Sequence, residues 1–154
     1  MSLDLGLLGA LALTASQAAP PAMPEVTTWK LNVARSTFTP GPGWRSQMRT
    51  YRRTADGVEV KWWGVGAEGE PMRVSFTVPY DGSDAAMVGS DKYDTLNSVK
   101  IDALTVKSEE KRDGKVVGIA IRKLSPDGKV MTITDEGTDR KGEKFSQVLV
   151  FDRQ

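Results

Sequence analysis

Three runs, KVVGIAIRKL (residues 115–124), VMTITD (130–135) and KFSQVLVFD (144–152), are separated by SPDGK (125–129) and EGTDRKGE (136–143). The runs are rich in β-branched residues, keep no 3.6-residue apolar period and stop at glycine-bearing turns, so they predict short strands. Gly128 and Gly142 supply the positive φ that hairpin turns require. A three-residue loop Pro126-Asp127-Gly128 sets Ile121 opposite Ile133 and Lys123 opposite Met131. The same kind of loop at Arg140-Lys141-Gly142 sets Ile133 opposite Leu149 and Met131 opposite Phe151. Both hairpins then gather apolar residues on one face, which is how a strand register is recognised.

The same grammar runs upstream. Strands are predicted at Thr27 to Val33, Ser46 to Thr54, Val58 to Val65, Met72 to Val78, Ala85 to Val88, Tyr93 to Ile101 and Leu104 to Lys111, with Asp56-Gly57, Glu68-Gly69, Asp81-Gly82 and Asp113-Gly114 between them. A loop at Ala67-Glu68-Gly69 aligns Val58, Val60 and Trp62 with Val78, Phe76 and Val74. Two-residue turns at Asp113-Gly114 and Asp102-Ala103 set Val106 opposite Ile121 and Val99 opposite Val106. The strand from Ser46 has two registers. A three-residue loop Ala55-Asp56-Gly57 sends Met48, Thr50 and Arg52 inward, and a two-residue turn sends Arg49, Tyr51 and Arg53 inward. The first is expected, because it buries one arginine instead of two.

A meander with one apolar face and no helical layer to cover it must curl shut. The expected fold is therefore all-β, an antiparallel up-and-down meander of 8–10 strands closed into a barrel over residues 27–154. Such a barrel holds side chains or one small ligand.

Composition narrows the chemistry. The chain has 154 residues, Lys+Arg 21 against Asp+Glu 20, and neither Cys nor His. Disulfides, thiolate nucleophiles, histidine triads and zinc sites built on Cys or His are thereby excluded. The near-zero net charge gives no field to hold nucleic acid. No glycine-rich phosphate loop opens a helix, and no cofactor or metal is expected. Residues 1–19 read as a secretory signal, with the apolar run Leu5 to Ala15 followed by Ser16-Gln17-Ala18, although Asp4 replaces the usual basic start. Residues 20–26, with Pro20, Pro21 and Pro24, read as a linker. The apolar run is shorter than the roughly 20 residues of a spanning helix. A periplasmic or secreted protein with no stable membrane insertion after signal removal is the expectation.

Reading the interior row by row predicts a greasy belt of Val99, Val106, Ile121, Ile133 and Leu149. Beside it runs a polar row of Asn97, Ser108, Ile119, Asp135 and Gln147, with Glu110 beyond. Buried polar groups cost free energy unless partnered, so the polar row should mark a mouth, a water pool or a ligand. The candidate pocket has that apolar floor, a polar waist, Trp62 and Arg52 in its wall, and a lid from Ala34 to Arg45 carrying Phe38 and Trp44. The competing reading sends the strand-end carboxylates Asp135 and Glu110 into solvent and lets Asn97 and Gln147 satisfy each other or buried water.

Thr28-Trp29-Lys30-Leu31 resembles the opening segment of the calycins, the lipocalins and intracellular fatty-acid-binding proteins, and Val148 to Arg153 resembles the final strand of the fatty-acid binders. Trp29-Lys30-Leu31-Asn32, Ser36, Phe38, Pro40-Gly41-Pro42 and Gly142-Glu143-Lys144-Phe145 also resemble small exported bacterial proteins of unassigned function. The calycin resemblance implies a lipocalin-like barrel whose first connection covers the open mouth. It departs where the fatty-acid binders carry an Arg-x-Tyr clamp, since Leu149 and Phe151 occupy those positions. Thr27 stands where lipocalins usually have glycine, and the helical lid of the fatty-acid binders has no counterpart. The expected function is exported binding or carriage of a small, partly apolar ligand. The alternatives are a barrel enzyme with Asp135 or Glu110 as general acid or base, and an envelope interaction module with a filled barrel.

Overall fold

The computed structural model describes residues 26–154; the signal and nearly all of the linker lie outside the described residues. The strands are β1 (Val26–Leu31), β2 (Thr37–Thr39), β3 (Ser46–Thr54), β4 (Gly57–Val65), β5 (Pro71–Val78), β6 (Ala85–Ala86), β7 (Thr95–Lys100), β8 (Thr105–Arg112), β9 (Lys115–Leu124), β10 (Val130–Thr138) and β11 (Lys144–Arg153). They pair antiparallel in the order β5-β4-β3-β1-β11-β10-β9-β8-β7-β6. The two ends of this meander meet where Ser75 and Val88 exchange backbone hydrogen bonds of 3.0 and 2.9 Å. The result is a nearly closed all-β barrel.

One edge of β11 is served by two short strands. Leu31 of β1 faces Phe151, and Phe38 of β2 faces Gln147. Between them the chain makes a 3-10 turn over Val33–Arg35. That turn would leave the Val150 amide without a strand partner, but Ser36 Oγ accepts it at 3.0 Å while donating to the Asn32 carbonyl at 2.8 Å. Ser36→Ala strands that half-buried amide and is expected to lower stability by about 1 kcal/mol, or roughly 3 °C in Tm, in thermal denaturation.

The registers of β4 with β5 and of β10 with β11 match the sequence expectation: Trp62 faces Val74, and Ile133 faces Leu149. Three other strands are inverted. The loop after β9 has four residues, because Ser125 Oγ accepts the Val130 amide at 2.9 Å and donates to Asp127 Oδ1 at 2.6 Å. Ile133 therefore faces Arg122 instead of Ile121, and Met131 faces Leu124 instead of Lys123. The Asp113-Gly114 turn has the expected two residues, with φ of 50° and 74°. A bulge between Glu110 and Lys111 then carries Val106 opposite Arg122. The glycine-free turn after β7 takes in a third residue, with the Asp102 carboxylate accepting the Leu104 amide at 2.8 Å. Ser98 thus faces Ser108, while Val99 and Ile101 lie exposed. In β3 the tighter turn wins, Thr54 facing Gly57, so Arg49 and Tyr51 point inward and Arg52 points out.

Two apolar clusters brace the barrel. Trp29, Leu31, Met131, Ile133, Leu149 and Phe151 form one; Val74, Val78, Ala85, Met87, Tyr93 and Leu96 form the other.

Candidate functional site

Between the clusters lies a cavity of about 280 Å³. Its floor and walls include Val60, Val74, Val106 and Ile133, and the lid residues Phe38 and Trp44 line it from above. The lid is tied down on both sides. Phe38 sits on β2 against β11, and Arg45 donates from Nε to the Ala67 carbonyl at 3.0 Å. Gly43 allows the Phe38 ring to lie directly against the backbone, since even a methyl group there would overlap the ring.

Of the residues predicted from sequence, Phe38, Trp44, Trp62, Ser108, Glu110, Asp135 and Gln147 line the cavity. Two do not. Asn97 is on the outer face of β7, where its amide donates to Asp84 and Glu109 at 3.4 and 3.3 Å. Arg52 is on the outer face of β3, donating from Nε to Glu59 Oε1 at 3.1 Å. Both follow from the one-residue inversions of their strands, since side chains alternate strictly along a strand. The same inversions bring in residues that were not singled out as site residues: Arg49 and Tyr51 on β3, Ser98 on β7 and Arg122 on β9. Arg49 and Tyr51 belonged to the alternative register of β3, so that signal was present and was outvoted by the charge of the arginines.

The arginines enter the barrel against aromatic faces. Arg49 lies 4.4 Å from the Trp62 ring centroid and 5.1 Å from that of Phe151, with its Nε donating to Gln47 Oε1 at 2.6 Å. Arg122 lies 4.7 Å from the Tyr51 ring and donates to the Tyr80 hydroxyl at 2.9 Å. A desolvated guanidinium over a ring face gains roughly 2 kcal/mol, which offsets part of its burial cost.

Opposing them is a carboxyl pair. Glu110 and Asp135 are each 8 % exposed. Burial, then the adjacent charge of Asp135, pushes Glu110 well above the ordinary carboxyl range. Burial raises Asp135 too, against the opposing pull of the Gln147 amide, which donates to Oδ2 at 2.7 Å. Tyr93 beside them is likewise pushed up, first by burial and then by the two carboxyl charges. The room they occupy is made by glycine. Gly118 faces Glu110 across the β8–β9 pair, and a Cβ there would stand 2.6 Å from Glu110 Oε2 and 3.1 Å from the Tyr93 hydroxyl. Glu110 Oε2, Asp135 Oδ1, the Tyr93 hydroxyl and Gln47 Nε2 are buried without a hydrogen-bond partner. Each such atom costs about 1–3 kcal/mol unless something supplies the missing bond.

Among the described residues no group of three or more acidic side chains is disposed to hold a metal ion. The arrangement can take a molecule with an apolar body and a polar head, and its buried carboxyl pair holds a proton at a pH where exposed carboxyls have lost theirs. A comparison with known proteins finds no family model, no curated relative and no solved structure that matches this chain.

Proposed function

We propose that the protein binds one small, partly apolar molecule inside a calycin-like barrel, beneath the lid of Phe38 and Trp44, as an exported carrier or scavenger working in the periplasm or outside the cell. The carrying observation is the cavity of about 280 Å³ whose walls are apolar while its buried polar atoms lack partners. Pockets that hold small molecules have this composition, a greasy lining with a few convergent polar groups. A barrel acting only through its outer face would gain stability by filling that space with side chains.

Titration of a chemically broad set of small, partly apolar compounds, read by tryptophan fluorescence, tests the reading. Binding compounds are expected to lose their quenching in Trp44→Phe or Trp62→Phe, and Ala120→Phe, which fills the cavity from β9, is expected to weaken them about tenfold or more. Compounds that bind indifferently to all three substitutions would count against the pocket. A second reading, a barrel enzyme, is favoured by one observation, the proton-retaining Glu110–Asp135 pair. Turnover of a bound compound that disappears in Asp135→Asn while its binding persists would move the assignment there.

A further inference from the structure

The head group of the ligand is written in what the carboxyl pair lacks. Three oxygens on residues that line the cavity, Glu110 Oε2, Asp135 Oδ1 and the Tyr93 hydroxyl, make no well-aligned hydrogen bond, although Tyr93 stands within reach of Glu110 and Glu110 within reach of Asp135. Their residues are 8 %, 8 % and 5 % exposed, so bulk water does not serve them. The nearby cations act on the pair without touching it. Arg49 is stacked on Trp62 and Phe151, Arg122 on Tyr51, and the Lys92 ammonium lies 4.4 Å from the Phe145 ring centroid. No ion pair within 4.0 Å among the described residues includes Glu110 or Asp135. Gly118 makes the room in which the Glu110 carboxyl and the Tyr93 hydroxyl sit side by side.

Resting on the binding role inferred above, we propose that these three residues are the seat of a protonated primary amine carrying an aromatic or aliphatic body. An ammonium group has three donors and no acceptor, so it can serve both carboxyl oxygens and the phenol oxygen at once. Its charge takes the place of the proton that the buried carboxyl pair otherwise retains, and charge-assisted hydrogen bonds are the stronger kind. A carboxylate head would add negative charge beside the pair, and a hydroxyl head brings a single donor and no charge. The body extends from this seat along Leu96, Val106 and Ile133, all of which line the cavity.

Phenethylamine, 2-phenylethanol and 3-phenylpropionate share a body and differ in the head, and each is titrated against the full chain at neutral pH with tryptophan fluorescence as the readout. The amine is expected to bind about tenfold or more tightly than the alcohol and the acid. Glu110→Gln, Asp135→Asn and Tyr93→Phe are each expected to erase most of that preference by weakening the amine far more than the alcohol. Because the wild-type comparison of three heads needs no variant, a substitution that fails to fold does not remove the test. Equal affinity for the three heads overturns the proposal. Preference for the acid overturns it as well and moves the polar head to Arg49 and Arg122, with the cavity reading intact. If none of the three binds, the proposal falls. The cavity reading falls with it only if the broader compound set also shows no dependence on Trp44 or Trp62.

Discussion

Phe151→Ala is expected to lower the stability of the barrel by about 3–5 kcal/mol and its Tm by roughly 10–20 °C. Phe151 is 0 % exposed and shares its cluster with Met131, also 0 %, so deleting the ring opens a void that rigid strands on either side cannot close. The ring also carries part of the Arg49 charge at 5.1 Å, a contact that disappears with it. Thermal and denaturant unfolding measured by circular dichroism checks both the size and the direction. A loss under about 1 kcal/mol would mean that the core collapses around the gap or that Phe151 is not at its centre. Phe38→Ala, on the half-buried lid, is the control, with a much smaller change expected.

The second large effect is a pH dependence that runs opposite to the usual one. Glu110 and Asp135 hold protons more tightly in the folded chain than an exposed carboxyl does. Folding therefore favours the protonated forms, and the stability they contribute is full below the ordinary value of 4.5 for a glutamate and is lost as pH rises through the raised values. The groups facing the pair are Tyr93, Lys92, Arg49 and the Gln147 amide. Of these, Arg49 and Lys92 pull the carboxyls down without overcoming burial. Glu110→Gln removes the more strongly shifted ionisation. The variant is expected to melt several degrees above the wild type at about pH 8 and to lose that advantage near pH 4. Exposed carboxylates such as Asp84 and Asp94, held low by Lys111 and by the Asp113 amide, shape the acid limb of both curves and cancel in the comparison. Parallel Tm curves for the two proteins from pH 4 to pH 8 would show that Glu110 is not buried as described.

The strands and their antiparallel order were legible because β-branched runs and glycine turns are local signals. Which face each strand presents was legible only in part. Strands β4, β5, β8, β10 and β11 kept the expected face, and so Trp62, Ser108, Glu110, Asp135 and Gln147 stayed inside. Strand β3 was inverted by a two-residue turn in place of three, β7 by the extra residue that Asp102 closes into its turn, and β9 by the fourth loop residue that Ser125 closes in, with the bulge beside Glu110 keeping β8 in step. A local pattern does not resolve whether a loop has three residues or four when a serine or aspartate side chain closes it. The second cause is the hollow itself. Choosing the register that buries the most apolar surface places Ile119 and Ile121 inside, whereas the folded chain turns Gly118, Ala120 and Arg122 inward. An interior that leaves room for a guest is lined with small and polar side chains, so the rule that selects a solid core selects the wrong face here.

The seam between β5 and β6 has a mechanical meaning. Most neighbouring staves around the hoop are laced over three or more residue pairs, and β6 and β7 over two, but there the lacing is the single pair of links between Ser75 and Val88. A hoop yields at its thinnest lacing, and undoing two amide links there leaves the rest of the weave intact. The wall beside the cavity is thus the part of the barrel that takes the fewest broken links to part.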